Sequence, residues 1–178
     1  MNSRPPLRDS FLKHYPENMI EDVLNTYREH NHKYHDKMIE AMPHAVEVIK
    51  YLKENDYEIA IVSSKMRNTV MLGLDAIGLK DYFEVVVGCE DVKKHKPYPD
   101  ALLKACELLR VSHDDVIYVG DTVGDIKASK NMGAYSIAYI SNDNLDDMAK
   151  AKPCRIIKDL IEIKDIVKED REWNEFVI

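Results

Sequence analysis

Residues 116–125 read VIYVGDTVGD, an apolar run that ends in a glycine-containing loop with two carboxylates. The run Val116–Val119 predicts a buried β-strand, and Asp121 and Asp125 follow it four positions apart. Ligands of parallel sheets bind beyond the carboxyl ends of the strands, where carboxylate oxygens suit a hard cation. A purely structural turn is the alternative, because Asp and Gly favour turns by themselves. The order strand, GDTxGD, helix favours a metal-binding loop.

Helices and short apolar strands alternate on both sides of this stretch. Strands are expected at Glu58–Val62, Phe83–Val87 and Tyr135–Ile140, and helices at Ala45–Asn55, Thr69–Ile77, Asp100–Leu109, Ile126–Asn131 and after Asp159, with Gly133 as a C-cap. Short unbroken apolar strands that alternate with helices are typical of a parallel sheet covered on both faces. The sequence therefore predicts an α/β fold, a doubly wound parallel sheet.

Two further strand ends carry polar residues that suit an anion. Ser63 and Ser64 follow the strand Glu58–Val62, and their hydroxyls can donate to an anionic oxygen, although a helix N-cap is the simpler interpretation of either alone. Lys96 lies after the next strand and precedes Pro97, which restricts the lysine backbone and favours a defined direction for its ammonium. A solvated basic loop is the alternative at Lys96.

In this order and on successive strand ends, the three elements resemble motifs II, III and IV of the haloacid dehalogenase superfamily. The matching runs are IVSSK at 61–65, KPYPD at 96–100 and GDTVGD at 120–125, and they are similar to the phosphoglycolate phosphatase and bacterial pyrophosphatase branch. The resemblance covers nearly the whole chain. It implies Mg²⁺-dependent hydrolysis of a small phosphate monoester or of pyrophosphate through an aspartyl-phosphate.

The resemblance also implies a role for each matching residue. Ser63 would bind the transferring phosphoryl group with Ser64 beside it, and Lys96 would neutralise charge on nucleophile and phosphate. Asp121 would ligate magnesium, and Asp125 would be a second carboxylate on the magnesium side or just behind it. The expected partner is therefore a small phosphorylated substrate.

Residues 1–42 resemble the later part of the α-helical cap that this family inserts between its first two motifs, and 43–178 resemble the α/β core. Apolar residues at helical spacing predict two or three short helices before residue 40. Such caps shape the choice of substrate. Arg4 lies where they often begin, and it is a candidate anion contact.

The D-x-D motif, with which the family's chemistry begins, has no counterpart in these 178 residues. Asp9, for example, has Phe11 two positions later, and Asp143 has Leu145. By the resemblance, the first core strand and its nucleophilic aspartate are missing. We expect two unpaired inner strand edges, and we expect this chain alone to be inactive or strongly impaired.

Three explanations of the missing strand are open: a shortened product, a noncatalytic descendant, and a segment that a partner supplies to the sheet. The rival function, from a different class, is a noncatalytic phosphate-binding or regulatory module. A receiver-like signalling domain is disfavoured, since its acceptor aspartate should also lie at the strand end that is absent.

Composition excludes several other classes of function. The net charge of −7 and the pI near 5.5 argue against nucleic acid or anionic lipid as a partner, because both attract surfaces rich in Lys and Arg. Three widely spaced cysteines form no CxxC pair and predict neither a disulfide framework nor a zinc site. Without a signal-like or membrane-length apolar run, the expected location is the cytoplasm.

Overall fold

The computed structural model describes residues 7–27, 29, 39–140, 145–169 and 176–177. It divides the chain into two compact units, Met1–Glu40 and Ala41–Ile178. Among the described residues, no helix combines the length and the apolar character that crossing a membrane requires.

The smaller unit is helical where it is described. Helix α1 spans Leu7–Leu12, a 3-10 turn follows at Glu17–Met19, and helix α2 covers 20–27. Ile20 and Leu24 are buried, one helical turn apart, so α2 presents an apolar stripe as the sequence pattern predicts.

In the larger unit, the described strands form one six-stranded sheet in which every pairing is parallel. The spatial order is β2-β1-β6-β3-β4-β5. The strands are β1 (Glu58–Val62), β2 (Val85–Val87), β3 (Val116–Gly120), β4 (Tyr135–Tyr139), β5 (Arg155–Ile157) and β6 (Phe176–Val177). This confirms the predicted parallel α/β sheet.

Helices join the successive strands and cover the sheet. They are α3 (Ala45–Glu54), α4 (Arg67–Ala76), α5 (Asp100–Leu109), α6 (Val123–Met132), α7 (Leu145–Ala151) and α8 (Ile163–Glu169). One buried cluster joins α5 and α6 to the sheet through residues such as Leu102 and Val87, and a second joins α3 and α8 to it through Leu52 and Ile163. The sheet is therefore sandwiched between two apolar layers.

Helix α6 begins three residues earlier than the sequence pattern predicts. Thr122 is its N-cap, and the Thr122 hydroxyl oxygen accepts a hydrogen bond from the N–H of Asp125 at 3.2 Å. The Asp125 carboxylate in turn accepts from the N–H of Thr122 at 3.0 Å, which completes a capping box. At the other end, Gly133 adopts φ 90° and ends the helix as predicted.

The centre of the sheet differs from the expectation of two unpaired inner edges. Strand β6 lies between β1 and β3, where Phe176 pairs with Glu58 and Val116, and Val177 pairs with Ile59 and Ile117. The sequence pattern did not predict this strand or β5, because short strands carry little periodic signal. The backbone of β6 thus links the two halves of the sheet through two residues.

The position of β6 predicts that its backbone hydrogen bonds stabilise the whole sheet. Val177→Pro removes one N–H from a strand with neighbours on both sides, and we expect it to lower the free energy of unfolding by about 1 to 3 kcal/mol relative to Val177→Ala. Urea denaturation of the two variants measures the difference. Equal stabilities would contradict a central, hydrogen-bonded β6.

Candidate active site

The predicted functional residues lie at one edge of the sheet. Ser63 directly follows β1, Asp121 directly follows β3, and Lys96 lies in the segment between β2 and α5. Because β1, β2 and β3 run parallel, their carboxyl ends share that edge. The fold therefore brings together three loops that are far apart in sequence.

Backbone hydrogen bonds fix the loop that carries Ser63 to the loop after β2. The N–H of Ser63 donates to the carbonyl of Val87 at 2.9 Å, and the N–H of Cys89 donates to the carbonyl of Lys65 at 3.0 Å. The Ser63 hydroxyl oxygen accepts from the N–H of Lys65 at 3.1 Å. Ser63 is half-buried, whereas Ser64 is exposed.

Arg67, the first residue of α4, adds side-chain contacts to the same junction. Its N–H donates to Glu90 Oε1 at 2.9 Å, and its guanidinium donates to Asp91 Oδ1 at 2.8 Å. Asp91 Oδ2 also accepts from the N–H of Gly88 at 2.7 Å. These contacts hold the Ser63 loop in place without using the Ser63 side chain.

Lys96 and Asp125 form a largely buried ion pair. Lys96 Nζ lies 2.6 Å from Asp125 Oδ1, and the two side chains are 16% and 4% exposed. Asn131, near the end of α6, donates from Nδ2 to the carbonyl of Pro97 at 2.9 Å. The segment that carries Lys96 is therefore tied to α6 at two points.

Asp125 accepts hydrogen bonds on both of its oxygens. Oδ1 accepts from Lys96 and from the Tyr118 hydroxyl at 3.0 Å, and Oδ2 accepts from the Thr122 N–H and, at 2.5 Å, from the Thr122 hydroxyl. Burial alone would raise the pKa of Asp125, but the charge of Lys96 and these hydrogen bonds outweigh it, so the pKa lies below its ordinary value. The carboxylate is held in its ionised form.

Asp121 is the exposed carboxylate of this loop. Among the residues that the structure describes, no group of three or more His, Cys, Asp or Glu side chains is placed to hold a metal. Magnesium commonly keeps several waters and takes one or two carboxylates together with substrate phosphate oxygens. Asp121 would supply one such carboxylate, and the other ligands of a magnesium ion would have to be water and phosphate oxygens.

The structure places the sequence candidates as follows. Lys96 and Asp125 are in direct contact, Ser63 and Asp121 each follow a strand that ends at the same edge of the sheet, and Arg4 lies outside the described residues. Three contributors were not predicted from the sequence: Tyr118, Thr122 and Asn131. Thr122 could have been found, since T-x-x-D is a capping-box pattern, whereas nothing local marks the other two.

Comparison with known proteins gives relatives over most of the chain. Residues 3–139 match the family model described as haloacid dehalogenase-like hydrolase. The chain is 37% identical over 165 residues to the pyrophosphatase PpaX of Halalkalibacterium halodurans, a match that covers 92% of this chain and 76% of the relative. It is 36% identical to the pyrophosphatase PpaX of a Bacillus cereus strain, over 84% and 74% of the two chains.

Solved structures show the same fold. A haloacid dehalogenase-like hydrolase from Streptococcus pneumoniae superimposes with a TM-score of 0.78 at 18% identity, over 92% of this chain and 77% of that one. A HAD phosphatase from Thermococcus onnurineus superimposes with a TM-score of 0.74 at 26% identity, over 87% and 72%.

The close approach of β3 to Asp125 predicts that alanine destabilises the protein at Gly120 but not at Gly124. A Cβ at Gly120 would lie 2.3 Å from the Cβ of Asp125, whereas one at Gly124 would meet nothing nearer than Thr122 Oγ1 at 3.5 Å. We expect Gly120→Ala to lower the free energy of unfolding by about 1 to 3 kcal/mol through overpacking. Gly124→Ala should stay within about 1 kcal/mol of the unaltered chain, because Ala favours a helix. Similar losses in both variants, measured in urea, would contradict this geometry.

The lowered pKa of Asp125 predicts part of the acid sensitivity of the fold. A carboxyl whose pKa is lower in the folded state stabilises that state above its unfolded pKa, near 3.8, and this contribution is lost as pH falls through the folded value. Asp125→Asn should therefore flatten the fall in unfolding free energy as the pH drops below about 4. Asp147→Asn, which changes an exposed carboxylate, is the control. An unchanged acid slope in Asp125→Asn would refute the assignment.

Proposed function

This chain belongs to the haloacid dehalogenase-like hydrolases, and on that premise we propose that its site handles a small phosphate monoester or pyrophosphate with Mg²⁺ as cofactor. One observation carries the proposal: the Lys96 ammonium is held 2.6 Å from Asp125, four residues after Asp121, at the edge of the sheet where the strand before Ser63 also ends. A fixed cation, a hydroxyl donor and a hard carboxylate oxygen are what a phosphate bound with magnesium requires.

Lys96 supplies the positive charge for the phosphoryl group. An ammonium has three donor hydrogens, and among the described residues Lys96 makes its side-chain contact with Asp125 alone. Two donors are thus left for phosphoryl oxygens. Since the chain as a whole carries a charge of −7, the attraction for phosphate is local to this lysine and to a bound cation.

Ser63 and Ser64 are proposed to donate to the phosphoryl oxygens from the adjacent loop. The Ser63 hydroxyl accepts from the Lys65 N–H, which leaves its own hydrogen able to point outward. Asp121 is proposed as the magnesium ligand. When bound, Mg²⁺ would neutralise phosphate charge and polarise the phosphorus–oxygen bond.

The relatives favour pyrophosphate or a small phosphomonoester over larger substrates. Two curated relatives are named as pyrophosphatases, and the site lies in an acidic chain without a broad basic surface. A long polyanion such as nucleic acid would need many more cationic contacts. The cytoplasm is the proposed location.

For this chain alone, turnover is proposed to be absent or strongly impaired. No D-x-D sequence occurs in its 178 residues, so the carboxylate that would attack phosphorus, and would also ligate magnesium, has no counterpart here. A second candidate function follows from β6, which takes the central place in the sheet that the family resemblance assigns to the nucleophile strand. With that place filled, a phosphate-binding module without turnover is the alternative.

The deciding experiment separates phosphate binding from hydrolysis. Calorimetry with inorganic phosphate and Mg²⁺ should show binding to the unaltered chain, weakened about tenfold or more in Lys96→Met through loss of a charge-assisted contact. Lys150→Met, which removes an exposed lysine paired with Asp147, should bind as the unaltered chain does. Thermal melts identify any loss of binding that is due to unfolding.

Turnover of p-nitrophenyl phosphate and pyrophosphate is measured on the same samples, with Asp121→Ala beside them. We expect binding with at most trace hydrolysis. Hydrolysis that disappears in Asp121→Ala would show that this site turns substrate over without a D-x-D aspartate, and it would overturn the proposed impairment. Absence of phosphate binding in the unaltered chain would overturn the proposed function itself.

A further inference from the structure

Tyr118 lies on β3 two residues before Gly120, with its side chain inside the core. The residue is 3% exposed, and it belongs to the buried cluster that contains Ala60, Val87 and Leu102. Its hydroxyl donates to Asp125 Oδ1 at 3.0 Å. A buried hydroxyl at the end of a packed ring has a position set by the core rather than by a loop.

Tyr118 and Lys96 share one acceptor atom. Asp125 Oδ1 accepts from the Tyr118 hydroxyl and lies 2.6 Å from Lys96 Nζ. Thr122 occupies the other oxygen with two donors. An ionised carboxylate offers about four lone-pair positions, and these four donors take them all. With both oxygens engaged, the carboxylate plane is fixed, and so is the direction from which Lys96 approaches it.

Tyr118 is suited to remain a donor beside this carboxylate. Burial, and then the negative charge of Asp125, raise the pKa of Tyr118 well above its ordinary value, so the hydroxyl keeps its hydrogen. Gly120 makes the contact possible, because a Cβ there would lie 2.9 Å from Asp125 Cγ and 3.2 Å from the Tyr118 ring.

We infer that Tyr118 is a positioning residue: through Asp125 Oδ1 it sets where the Lys96 ammonium stands at the phosphate site. This inference rests on the proposed phosphate-handling function and deepens it. Tyr118 acts through Asp125, the residue that its hydroxyl contacts. Its effect is to tie the Lys96 ammonium, through Asp125, to the buried core cluster that contains the Tyr118 ring.

The test uses Tyr118→Phe, which keeps the ring and removes only the hydroxyl. Tyr57→Phe is the matched control, because the Tyr57 hydroxyl also donates to a protein oxygen, the carbonyl of Val167 at 3.1 Å, on a different part of the core. Hydrogen exchange of the Lys96 ammonium is followed by ¹⁵N NMR in the phosphate-free protein. Lys96→Arg identifies the resonance by its absence.

We expect the Lys96 ammonium to exchange about three- to tenfold faster in Tyr118→Phe, the change that the loss of one modest hydrogen bond produces, and at the normal rate in Tyr57→Phe. Unchanged exchange in Tyr118→Phe, or equal acceleration in both variants, would overturn the inference. Because this readout needs no ligand, it decides the role of Tyr118 even where the proposed function fails.

A second measurement connects the position of Lys96 to the site. In calorimetry with inorganic phosphate and Mg²⁺, Tyr118→Phe should weaken binding about threefold or more relative to Tyr57→Phe. Weaker binding together with faster Lys96 exchange supports the inference. Weaker binding with unchanged Lys96 exchange would instead assign Tyr118 a purely structural effect and overturn it.

Discussion

The buried ion pair of Lys96 and Asp125 is the interaction on which the site depends. It joins the segment after β2 to the start of α6, and each side chain is mostly shielded from water. Removing one partner of such a pair commonly costs about 3 to 5 kcal/mol, because the remaining charge stays buried and uncompensated. The capping box at Thr122 and the hydroxyl of Tyr118 complete the hydrogen bonding of Asp125, so the pair has a defined geometry as well as a charge balance.

The parallel sheet explains why this pair lies where phosphate chemistry is proposed. Parallel strands bring their carboxyl ends to one edge, and hydrogen bonds between the loops after β1 and β2 hold the Ser63 loop beside the segment that leads to Lys96. The centre of the sheet is its least extensively paired part among the described residues. Five-residue strands β1 and β3 each meet β6 through two residues. The outer strands are therefore paired through more residues than the central strand β6.

The family match identifies the class of protein, whereas particular residues of this chain bear on whether it can catalyse hydrolysis. The match over residues 3–139 establishes a haloacid dehalogenase-like hydrolase, and phosphate and magnesium chemistry at the strand ends is what we propose for it. No D-x-D sequence occurs in the 178 residues, and the proposal that this chain binds phosphate with little or no turnover rests on that observation. Strand β6, from the other end of the sequence, lies at the centre of the sheet between β1 and β3. By the family resemblance, that is the place of the missing first strand.

The alternation of apolar runs, the GDTVGD loop and the KPYPD turn were enough to predict the parallel α/β sheet and the positions of Ser63, Lys96 and Asp121, because strand burial and turn chemistry are local properties. The contact of Tyr118 with Asp125, the anchoring of Pro97 by Asn131 and the central place of β6 could not be predicted in this way. In the sequence, Tyr118 cannot be told from the other apolar residues of its strand. Strand β6 is too short to show an alternating pattern of apolar and polar residues. Which hydroxyl meets which carboxylate, and which strand pairs with which edge, are decided by packing between segments that are distant in sequence, so only the tertiary structure contains them.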